Sequence, residues 1–151
     1  MAEIKRILSP VDFSETSDHA LRYAVDLASK LGAEMHVVHV YQLPMYALPD
    51  GGVLAGPDVA AGIMDQAQKR MKELTKELDG EGVRMKTHVI EGMPHREIVR
   101  MADEIEADLI IMGTHGRSGL SHLLLGSVAE RVVRTSTHPV LTVRHPEHGK
   151  E

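Results

Sequence analysis

The run DLIIMG, Asp108 to Gly113, carries four successive apolar residues between its ends. An unbroken run of this kind suits a central parallel strand covered on both faces, not an edge strand with one face in water. A chain holding such a strand must supply helices for two layers. The rest of the sequence supplies them in alternation. Ile4 to Val11 (IKRILSPV) reads as a first strand stopping near Asp12. Phe13 to Ser17 offers several N-cap side chains. Leu21, Ala24, Val25, Ala28 and Leu31 then recur at helical spacing, and Gly32 is placed to end that helix in the left-handed region.

Glu34 to Tyr41 (EMHVVHVY) reads as a second strand. Gln42 to Pro57 contains Pro44, Pro49, Gly51, Gly52, Gly56 and Pro57 and reads as one long loop. Ile63, Ala67, Met71, Leu74 and Leu78 mark one face of a second helix, closed by Gly80 and Gly82. Val83 to Glu91 alternates as a third strand, and Pro94 sits at the first turn of a third helix, whose buried face is Ile98, Val99, Ala102 and Ile105. After the central strand come a glycine-containing loop, a fourth helix from Ser127 to Thr135, and a last strand, Pro139 to Arg144 (PVLTVR). Strands alternating with helices predict an α/β fold: a single open parallel five-stranded sheet with helices on both faces. Ligands of such sheets bind beyond the carboxyl ends of the strands, at the switch point.

A length of 151 residues suits one domain, taken as 1–145 with a tail at 146–151. Cysteine and tryptophan are absent and Phe13 is the sole phenylalanine, so the core must be aliphatic and neither disulfides nor thiolate metal sites are available. Net charge is −5 with scattered Lys and Arg, which argues against a nucleic-acid partner. No stretch approaches the roughly 20 apolar residues of a membrane span. The amino terminus lacks the apolar core of a secretory signal. The expectation is a cytoplasmic protein with no membrane partner.

The central strand ends in Gly113-Thr114-His115-Gly116-Arg117-Ser118-Gly119, and Gly126-Ser127 follows at the start of the fourth helix. Glycines let backbone approach a ligand closely. A helix start at Ser127 and Val128 offers free N–H donors and the positive end of a dipole. Together they form a candidate phosphate cradle; ordinary turn glycines are the competing reading. Two other phosphate motifs are missing. There is no GxxxxGK[ST] with its lysine. There is no GxGxxG after the first strand, and the second strand ends in His39-Val40-Tyr41 without an acid for a ribose, which argues against NAD or FAD.

The spacing Gly113-x2-Gly116-x9-Gly126-Ser127 resembles the glycine pattern of the ATP-binding branch of the universal stress protein family. Ser9-Pro10-Val11-Asp12-Phe13-Ser14 looks like that family's opening motif, and Ser136 to Val143 (STHPVLTV) like its last strand. The similarity runs from Lys5 to about Arg144. It implies a Rossmann-like sheet of strand order 3-2-1-4-5 and ATP as the ligand. It also implies roles. Pro10 and Val11 would border the adenine, with the Val11 backbone as a hydrogen-bond partner. Val38 would pack near the base, and Met112 and Gly113 would line the ribose side. Asp12 would lie near ribose or phosphates; an Asx-turn is the alternative for that residue. Gly116, Gly126, Ser127 and Val128 would hold the phosphates. Arg117 could pair with phosphate through its guanidinium fork, or stay in water, and the same pair of readings applies to His115.

The leading function is a regulatory module whose ATP state biases an interaction or oligomeric surface. A slow metal-dependent ATPase is the alternative, with Asp12 as base or metal ligand and His115 or Arg117 stabilising charge. No dedicated catalytic residue stands out. Ten histidines invite a metal reading, but His36 and His39 face opposite sides of a strand and no ligand spacing recurs. An all-protein metal site is not expected. Magnesium or manganese held through nucleotide phosphates is the form of metal binding left open. Val140 to Val143 carries no charge, so an exposed edge there would pair with another chain, giving a homodimer or a higher assembly of dimers.

Overall fold

In a computed structural model of the chain, residues 2–44, 46–47, 49–51, 53–54, 56–78, 82–115 and 125–146 are described. The elements run β1 (Arg6–Pro10), α1 (Glu15–Leu31), β2 (Glu34–Tyr41), β3 (Tyr46–Ala47), β4 (Val53–Leu54), α2 (Pro57–Glu77), β5 (Met85–Glu91), α3 (Pro94–Glu104), β6 (Leu109–Gly113), α4 (Ser127–Thr135) and β7 (Val140–Val143).

The five longer strands form one sheet in the order β5-β2-β1-β6-β7, with each adjacent pair parallel. This is the expected 3-2-1-4-5 order. Period-two alternation sends neighbouring residues to opposite layers. On β1, Ile7 packs with Leu21, Val25, Met35 and Met71 under α1 and α2. The next residue, Leu8, packs with Ile98, Met101, Ile110 and Val132 under α3 and α4. Ile110 and Ile111 of β6 divide the same way, and both are wholly buried. The continuous apolar run is therefore central, as its composition required.

Local signals place the helix ends. Ser14 caps α1, its Oγ accepting the Ser17 N–H at 3.2 Å, and Gly32 closes it at φ 67° with its N–H donated to the Ala28 carbonyl. Pro94 opens α3 as expected. Two expectations need correction. The stretch 42–57 is not all loop: β3 and β4 pair antiparallel there, Tyr46 opposite Leu54. Gly51 at φ 85° supplies the left-handed residue that such a reversal takes. α2 ends at Glu77 with Leu78 as its cap, ahead of the glycines expected to close it. Gly80 lies outside the described residues; Gly82, at φ 74°, turns the chain into β5.

Candidate functional site

The sheet order reverses between β1 and β6. At their carboxyl ends a cleft of about 320 Å³ opens between the strand tips, α3 and α4. Nine of the expected site residues line it: Pro10, Val11, Asp12, Val38, Met112, Gly113, Gly126, Ser127 and Val128. Gly116 and Arg117 lie outside the described residues. The cleft also takes in Ser17, Val40, Gln42, Pro94, Ile98, Thr114, His115 and Ala129.

One half of the cleft is apolar. Pro10, Val38, Val40, Ile98 and Met112 form a slot between the sheet and the start of α3. Val40 contributes more than its side chain. Along β2, Glu34 donates its N–H to Lys5 on the β1 side and Met35 to Arg84 on the β5 side. Alternate residues of a parallel strand bond to alternate neighbours. Even-numbered residues of β2 therefore face β1. The last residue of β1, Pro10, lies opposite Val38, and the Val38 carbonyl accepts the Val11 N–H at 2.8 Å. Val40 faces the same way two residues on, where β1 has ended. Its N–H and C=O point into the slot as a donor and an acceptor side by side. The Val11 backbone, expected to meet the ligand, has its own N–H committed to Val38, and its carbonyl lies 2.8 Å from His39 Nδ1.

The other half is polar. α4 begins at Ser127, and its N-cap, Gly126, provides no side-chain hydrogen bond. The Gly126 N–H donates to the Thr114 carbonyl at 2.6 Å, tying the helix start to the end of β6. Glu130 N–H is the first to bond back into the helix, to Gly126. The preceding N–H groups, of Ser127, Val128 and Ala129, have no partner within the helix and point along its axis at the end that lines the cleft, the arrangement that holds anions. Gly126 adopts φ −71°, ψ 166°, which any residue can take, so glycine there is not a backbone requirement.

Asp12 stands where the two halves meet. Its Oδ1 accepts the Ser14 N–H at 3.0 Å and its own N–H donates to Ser17 Oγ at 3.2 Å. The Asx-turn weighed against a ligand role is thus present, on a residue that also lines the cleft. Burial pushes the nearby Asp18 carboxyl up from its ordinary range; Arg22 opposes this and the Asp12 charge adds to it. Buried His115 lies within 3.1 Å of Thr114 Oγ1 at the polar end.

The residues that sequence reasoning passed over divide by cause. Val40 carried a signal, its period-two relation to Val38, but its exposed backbone follows from where β1 stops. Pro94 and Ile98 were read as helix start and buried face, and only the packing of α3 beside β2 brings them to the cleft.

A doubly wound α/β sheet with an apolar slot and a helix amino terminus at its switch point defines a class of ligand-binding domain. Comparison with known proteins narrows it. The model of the universal stress protein family matches residues 3–144. Universal stress protein MJ0531 of Methanocaldococcus jannaschii is 37% identical over 144 residues, 95% of this chain and 84% of that one. The solved structure of protein MJ0577 of the same organism superposes with a TM-score of 0.80 at 31% identity, covering 95% of this chain and 98% of that one. A universal stress protein solved in complex with cAMP superposes with a TM-score of 0.62 at 26% identity, over 95% and 98% of the two chains. The chain belongs to the universal stress protein family.

Proposed function

We propose that the cleft binds an adenine nucleotide, ATP, and that the chain is a regulatory module whose nucleotide state biases an interaction or oligomeric surface. The observation that carries this reading is the pairing, in one cleft, of an apolar slot edged by the Val40 backbone with the amino terminus of α4. Adenine presents an acceptor at N1 beside a donor at N6, the complement of the Val40 N–H and C=O. The ring lies between Pro10, Val38 and Met112 on one side and Ile98 on the other. The phosphates reach Ser127 and Val128, where Gly126 leaves room for their oxygens. Asp12 meets the ribose or the first phosphates. The relative solved with cAMP supports an adenine ligand.

A magnesium or manganese ion would ride on the phosphates. One carboxylate, Asp12, joined to phosphate oxygens is a donor set that such hard ions accept. It would neutralise charge between the phosphates and Asp12. The interaction surface is the outer edge of β7, through which two copies pair about a two-fold axis. The test of the ligand is the nucleotide released by denaturing purified protein, together with competition among ATP, AMP, NAD and FAD. Adenine mononucleotide in stoichiometric amount is the expected result. Release of NAD or FAD would overturn the reading.

A further inference from the structure

We propose that Arg70 of α2, acting through Phe13 and His39, positions Asp12 in the cleft; the proposal rests on the reading of that cleft as a nucleotide site. Phe13 follows Asp12 directly and holds φ 64°, a left-handed backbone that a bulky residue rarely adopts. Such a conformation persists only where the surroundings over-determine it. Phe13 is the middle residue of the Asx-turn closed by Asp12 Oδ1 and the Ser14 N–H, and two side chains pack on its ring. The His39 ring of β2 lies 4.4 Å from the Phe13 ring at an interplanar angle of 40°. The Arg70 guanidinium lies 4.7 Å from the centroid of the same ring, within cation–π range.

His39 is itself anchored. Its Nδ1 is 2.8 Å from the Val11 carbonyl, and a carbonyl only accepts, so Nδ1 carries the proton. That carbonyl belongs to the peptide unit whose N–H, on Asp12, donates to Ser17 Oγ. Both polar ends of the Val11–Asp12 peptide are therefore held, one through the bracket around Phe13. Arg70 is absent from the nucleotide cleft. It lines a second hollow of about 400 Å³ on the α2 side, together with Phe13 and His39. Asp12, Val40 and Gln42 line both hollows. Arg70 thus reaches the nucleotide by way of the Asp12 segment, which makes it a positioning residue and makes the docking of α2 part of the site.

Calorimetry with ATP and amide NMR of the full chain test this together. Arg70→Ala should weaken ATP by about 2- to 5-fold, the scale of an exposed cation–π contact. It should also shift the Asp12 amide resonance in ligand-free protein. Arg70→Lys, which keeps the cation, should restore most of both. Phe13→Asn, which tolerates left-handed backbone but has no ring, should reproduce the loss. Lys69→Ala, its exposed neighbour on α2, should do neither. In an Asp12→Ala background Arg70→Ala should have no further effect on affinity. An equal loss in both backgrounds, or an unmoved Asp12 amide in Arg70→Ala, overturns the proposal. If the parent binds no ATP the nucleotide reading fails, and the amide shift still decides whether Arg70 sets Asp12.

Discussion

Gly113, at the carboxyl end of β6, faces Thr16 of α1 so closely that a Cβ on the glycine would stand 2.9 Å from Thr16 Cγ2 and 3.2 Å from the Thr16 carbonyl carbon and oxygen. Two of those three neighbours are backbone, which cannot rotate aside. The first glycine of the phosphate-cradle motif is therefore required by the packing of α1 on β6, quite apart from any ligand. Gly113→Ala should destabilise the fold by about 1–3 kcal/mol, the usual cost of overpacking. Thr16→Ser removes only the methyl group, so it should recover part of that loss and not all of it. Chemical denaturation of both single variants and the double variant measures this; an unchanged midpoint in Gly113→Ala contradicts it.

Asp12 serves the turn and the cleft through one carboxylate, so two substitutions separate the roles. Asp12→Asn keeps an oxygen for the Ser14 N–H while removing the charge. Asp12→Ala removes both. Losing a charge-assisted hydrogen bond costs about 1.5–3 kcal/mol, roughly 10- to 100-fold in affinity. Both variants should weaken ATP, and only Asp12→Ala should also lower the melting temperature. Unchanged affinity in both would assign Asp12 to the turn alone.

The α/β class was legible because short apolar runs alternate along the chain with segments of helical spacing. Asp108 to Gly113 read as central, the capping side chains of Phe13 to Ser17 and the ring of Pro94 marked helix starts, and Gly32, lacking a Cβ, marked a helix end. The hairpin of Tyr46–Ala47 with Val53–Leu54 was illegible, since two-residue strands carry no period. The glycine motif was visible, yet its meaning divides in the fold. Gly113 answers to Thr16, and Gly126 has an ordinary backbone at the head of α4. Val40 could not be found from side-chain chemistry, because its backbone faces the cleft only on account of where β1 ends. The Arg70–Phe13–His39 bracket joins α2, β2 and the loop between β1 and α1, a proximity that no local spacing encodes.

Two carboxylates should give pH effects of opposite sign. Backbone N–H groups of Lys5 and Arg6 donate to Asp108 Oδ2 at 2.8 and 3.0 Å, and the Lys5 bond foremost holds its carboxyl below the ordinary range. A depressed acid contributes stability above its unfolded value near 3.9, lost as pH falls through its folded value. Asp108→Asn should thus destabilise at pH 7 and lose that effect in strong acid. Asp18 is raised instead, chiefly by burial, and its Oδ1 has no hydrogen-bond partner among the described residues. The folded chain then holds that proton more tightly than the unfolded chain. Asp18→Asn should raise the melting temperature at pH 7, with the gain shrinking as pH falls through the raised folded value and gone below the unfolded value near 3.9. Matching profiles for the two variants would contradict both assignments.

β7 ends the sheet, and its residues Val140 to Val143 are all half-buried with no charge among them. Beyond it the chain turns toward α1, where the His145 and His19 rings lie 5.5 Å apart. An uncharged edge of this kind pairs readily with another chain. Light scattering at tens of micromolar should give a dimer or a multiple of one, and Thr142→Pro, which removes an edge N–H, should shift it toward monomer. A monomeric parent, with and without ATP, would contradict the assignment of this edge.

Calorimetric titration of the parent and Gly126→Val with ATP bears most directly on the cleft. The backbone at Gly126 accepts any residue, so backbone strain gives the valine variant no reason to unfold, and its melting temperature is measured beside its affinity. Its branched side chain would occupy the space given to a phosphate oxygen at the head of α4. The account predicts saturable binding of one ATP per chain in the parent and at least tenfold weaker binding in Gly126→Val. No detectable heat with the parent at millimolar ATP, or equal affinity in a folded Gly126→Val, would contradict it.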